Sequence, residues 1–168
     1  MKSFFIFLIF FLLLIFQLAL APRLNILGVF PNFVFAAALV LIVEKDTPSV
    51  LAWALVAGLA LDSFSGEAFG IYSLSFVLVG WLALVLGKNV LKVTDLWGQA
   101  MLIILACAAF SILNIFLIEI FYWVGSGGQV SFWLALWRIV PLEAVLNSIF
   151  SLAILLIYKK INGLLIRI

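Results

Sequence analysis

Carboxylates are the only side chains in this sequence placed in pairs that acid-base chemistry could use. Asp62 with Glu67, and Glu119 with Glu143, would each provide the two carboxyl groups of a hydrolytic dyad. Nothing accompanies them. The chain has no histidine and a single cysteine, Cys107. An imidazole base, a histidine metal ligand, a serine-histidine triad and a cysteine-rich zinc site are therefore excluded, as is an intramolecular disulfide. Gly125-Ser126-Gly127-Gly128 has neither the following lysine nor the preceding strand of a phosphate-cradling loop, so it reads as a flexible turn. The sequence predicts no enzyme, no metal and no cofactor.

The remaining polar residues lie within apolar runs and need an explanation. Ala54, Gly58 and Asp62 recur every four residues, which puts two small residues and a carboxylate on one helical face. Small residues let another backbone approach closely, so the face serves either packing with a cap at its end or docking of a partner. Further along, Ser111, Asn114 and Glu119 share one run, and Arg138, Glu143 and Asn147 share the next. Ionisable groups at membrane depth need partners, because isolated charge in lipid costs several kcal/mol. Glu119, Arg138, Glu143 and Asn147 are accordingly expected to form an internal polar cluster, either a buried pair joining two helices or the lining of a cavity. Glu143 and Asn147 are four apart and face the same way. Pro141 removes a helix donor and is expected to kink the helix beside the cluster.

The elements that carry these residues follow from composition. Of 168 residues, 68% are apolar and 10% charged, against about half and a quarter in a soluble domain. The chain therefore reads as one all-α integral membrane domain, 1–168, with six spans over about 4–21, 26–43, 49–61, 71–86, 99–124 and 134–158. The first run ends Ala19-Leu20-Ala21, like a signal-peptide cleavage site, but Pro22 would follow the cut, so an uncleaved helix is expected. Pro31 is suited to opening the regular part of the second span.

Lysine and arginine fix the orientation. With six spans, Lys2, Lys45, Lys88, Lys92, Lys159, Lys160 and Arg167 fall on one side and Arg23 alone on the other, which predicts cytoplasmic termini. A net charge of +2, scattered between apolar runs, does not predict nucleic-acid binding.

Phe30-Pro31-Asn32-Phe33, then Gly58-Leu59-Ala60-Leu61-Asp62-Ser63-Phe64-Ser65-Gly66 and Gly70-Ile71-Tyr72, resemble the rod shape-determining MreD family. Leu96-Trp97-Gly98-Gln99-Ala100 and Glu119 look similar to some of its members. The likeness covers nearly the whole chain and is most specific over 58–70.

It implies a multi-pass protein of the bacterial cytoplasmic membrane. That protein would be a noncatalytic scaffold of the elongation machinery, helping maintain rod cell shape by organising lateral peptidoglycan synthesis. The implied partner is MreC and, directly or through it, RodA, a class B penicillin-binding transpeptidase and MreB. The implied fold is similar to the six-helix substrate-binding subunits of energy-coupling-factor transporters, which makes such a subunit the alternative function. The residues carried over as a partner-binding or structural motif are Pro31, Asn32, Gly58, Asp62, Gly66 and Gly70, with Glu119 beside them. Arg138, Glu143 and Asn147 rest on the residues alone.

Overall fold

A computed structural model describes residues 2–45, 49–91, 95–125 and 131–165. The chain folds into α1 (Lys2–Leu20), α2 (Phe33–Lys45), α3 (Ser49–Ser65), α4 (Ile71–Val85), α5 (Leu96–Trp123), a short α6 (Phe132–Leu134) and α7 (Val140–Leu165). A π turn, Leu86–Val90, prolongs α4, and a second, Ala135–Ile139, joins α6 to α7 in one rod. No strand occurs among the described residues; Ile26 and Val29 form an isolated bridge.

Three of the described helical stretches are long and apolar enough to cross a bilayer: Ile71–Asn89, Leu96–Trp123 and Phe132–Asn162. Ser49–Ser65 and the stretch Leu8–Ala19 of α1 are apolar but shorter.

The centre of the bundle is α2. From Phe33 to Val40 every residue is buried, because α2 packs against α1, α3, α4, α5 and α7. A helix apolar on all sides belongs in such a place. At 13 residues it is about 20 Å long, short of the roughly 30 Å hydrocarbon core. The apolar run is longer than the helix because 26–32 is not helical: Ile26 and Val29 exchange two backbone hydrogen bonds around Leu27 (φ 55°) and Gly28 (φ 92°). The Asn25 Oδ1 accepts the Gly28 N–H at 2.7 Å and fixes that turn. The span expected over 26–43 thus becomes a turn followed by a shorter helix that opens after Pro31 and Asn32.

Stacked Phe35 and Phe110 rings, 3.8 Å apart, with Phe76 packed at 5.3 and 5.6 Å from them, tie α2, α5 and α4 together. At one end of the bundle the Lys159 ammonium lies 3.5 Å from the Glu44 carboxylate, joining α7 to α2. The other end, where α3 turns into α4 and α2 begins, collects buried polar side chains and is called the polar end below.

Candidate functional site

Two polar knots hold the polar end. The first lies between α3 and α4. A Cβ on Gly58 would stand 2.5 Å from the Ser73 Cα and 2.8 Å from its nitrogen, so the backbones of the two helices cross at a distance only glycine permits. One turn further along α3, Asp62 is 4% exposed. Its Oδ1 accepts the Tyr72 N–H at 2.8 Å and its Oδ2 the Ser73 N–H at 3.1 Å. These are the second and third residues of α4, whose N–H groups have no partner within their own helix. The residue before α4 is Gly70 at φ 109°, which has no side chain to cap with; Asp62 does so from the neighbouring helix. Negative charge there also complements the helix dipole. Gly66 (φ 76°) and Gly70 supply the left-handed backbone that reverses the chain in between.

The span expected over 49–61 stops one residue short of Asp62; the helix α3 itself continues to Ser65 and includes Asp62. The face formed by Gly58 and Asp62 is filled by α4 of the same chain.

The second knot joins α1, α2 and α7. Gln17, buried in α1, donates from Nε2 to the Pro31 carbonyl at 3.1 Å and accepts the Phe33 N–H on Oε1 at 2.7 Å. From α7, the Asn147 Oδ1 accepts the Asn32 N–H at 2.7 Å, while the Asn32 Oδ1 accepts the Phe35 N–H at 2.9 Å and caps α2. The backbone around Pro31 is thus held from both sides, and its buried polar groups find partners. Nearby, the Ser75 hydroxyl donates to Asn114 Oδ1 at 2.6 Å and links α4 to α5.

The expected cluster of Glu119, Arg138, Glu143 and Asn147 does not assemble as one unit. Asn147 belongs to the second knot. Glu143, half-buried on the same face one turn away, lies beside Ser111 of α5. Glu119 accepts from the Trp123 indole at 3.0 Å, within its own helix. Arg138 is exposed, and among the described residues no ion pair joins it to either glutamate. The irregularity expected around Pro141 is the π turn Ala135–Ile139, which ends two residues before the proline.

Gln17 escaped the sequence reading. Its signal was there: an amide between apolar residues needs a partner for the reason Asn147 does.

The fold is all helical, its described helices include three able to cross a bilayer, and its buried amides and Asp62 join its own helices to one another. Those features define an all-helical bundle of the membrane-protein class. The chain belongs to the rod shape-determining protein MreD family, whose family model matches residues 1–161. Comparison with curated proteins and with solved structures gives no match.

Proposed function

We propose that this chain is a noncatalytic scaffold of the bacterial elongation machinery, crossing the cytoplasmic membrane six times with both termini inside. In this reading it helps maintain rod shape by holding MreC, and through MreC the RodA glycosyltransferase, a class B transpeptidase and MreB. The family match over 161 residues carries the reading. The two knots support it, since they keep several of the polar side chains that chemistry could recruit in helix-to-helix bonds.

The knots also bear on where a partner would sit. With the Gly58 face filled by α4 and Asn147 turned inward onto the Asn32 N–H, the motif residues act on the shape of the chain. Contact with MreC then falls to outward faces. Depletion in a rod-shaped host, with crosslinking of the chain to its neighbours, tests the proposal. Rounded cells and a crosslink to MreC are expected. Rods that persist without the chain, in a strain lacking a second copy, overturn it.

A further inference from the structure

Helices α1 and α3 run side by side with few contacts, and two cavities open beside them, one above the other along both helices. The one nearer the middle of the bundle, about 100 Å³, is lined by Phe10, Leu14, Val34, Trp53, Ala57 and Ala60 among others, all apolar. The one at the polar end, about 220 Å³, has Leu18, Phe30 and Phe64 on its walls, together with Gln17, Asn32 and Tyr72. Three elements contribute to both: Leu14 and Leu18 on α1, Val34 and Asn32 at the start of α2, Ala60 and Phe64 on α3, while Tyr72 of α4 lines the polar-end cavity alone.

The crevice is therefore apolar toward mid-membrane and polar-tipped at the surface, the polarity profile of an amphiphile standing upright in a bilayer. Each cavity falls below the roughly 300–1,000 Å³ of a drug-sized pocket, and the apolar walls of the inner one suit an acyl chain. Its polar tip offers donors. Asn32 is 6% exposed, and among the described residues no group accepts from its Nδ2 or from the Tyr72 hydroxyl. The side chains lining the polar-end cavity include no lysine or arginine, so none of them pairs with an anionic headgroup. Such a tip donates to an ester carbonyl and gives an anionic headgroup no counter-charge.

We infer that the α1–α3 crevice is a binding site for one membrane phospholipid of zwitterionic headgroup, with an acyl chain along Leu14, Trp53, Ala57 and Ala60 and a glycerol ester at Asn32 and Tyr72. The site fills the gap between two helices that pack weakly on each other, and so completes the bundle with a lipid in place of side chains. It does not depend on the scaffold proposal.

The test is native mass spectrometry of the full chain, released from nanodiscs of equal phosphatidylethanolamine and phosphatidylglycerol. The wild-type chain is expected to retain a single phospholipid, with phosphatidylethanolamine in excess. Ala60→Phe fills the inner cavity and Leu18→Trp, at an exposed position on α1, the outer one; each is expected to cut retention about tenfold. Ala109→Phe, in a different apolar groove between α4 and α5, is expected to retain the lipid as the wild type does. All variants are compared at equal monodispersity on gel filtration. No retained lipid, equal retention across the variants, an excess of phosphatidylglycerol, or a water-soluble compound displaced by Leu18→Trp would each overturn the assignment.

Discussion

Asp62 shows how one side chain decides the geometry of a turn. Its two oxygens satisfy two N–H groups of α4 that would otherwise be orphaned in a buried place. Asp62→Ala is expected to lower the unfolding free energy by about 1–3 kcal/mol, the range for leaving buried donors unpaired. Asp62→Asn keeps one acceptor oxygen, so its loss is expected to be smaller. Thermal unfolding in detergent, followed by gel filtration, distinguishes the two. Gly58→Ala is expected to cost about 1–3 kcal/mol as well, because the added methyl meets the Ser73 backbone, which has no rotamer to yield. An Ala variant as stable as the wild type would refute the close crossing. The four-residue spacing of Ala54, Gly58 and Asp62 made the face legible in the sequence. What filled it was not, since both a helix of the same chain and a foreign one would use small residues.

Between elements, the sequence read well where a polar residue interrupted an apolar run and poorly where two runs had to be matched in space. Pro31 marked the start of α2 to within two residues; it stands just before the helix, and Asn32 is the cap. The partner of Asn32 is Asn147, 115 residues away, and no local pattern announces such a pairing. Arg138 was read as an internal charge because its run is apolar, whereas its position on the helix turns it outward. Asn147→Ala is expected to destabilise the chain by about 1–3 kcal/mol, since the buried Asn32 N–H loses its acceptor. Arg138→Gln, at an exposed site with no ion pair to either nearby glutamate, is expected to shift stability by no more than about 0.5 kcal/mol. A larger loss in a melting experiment would mean that Arg138 holds the bundle together after all.

For the molecule as a whole, composition alone decided the class: a chain 68% apolar has to put its backbone into helices if it lives in lipid. The order in which those helices surround α2 is a matter of side-chain fit and was not legible. The asymmetry of lysine and arginine predicts that green fluorescent protein glows, and alkaline phosphatase stays inactive, when fused to either end. Opposite behaviour at the two ends would mean an odd number of crossings.

In the proposed reading the Gly58–Asp62 and Pro31–Asn32 motifs shape this chain from within, and outward faces are left for MreC. The most direct measurement is the amount of MreC captured per folded molecule of Asp62→Ala, taken below its melting temperature and set beside that temperature. A lowered melting temperature with unchanged capture is the predicted result. An unchanged melting temperature with capture lost would place Asp62 at the partner interface and contradict the account.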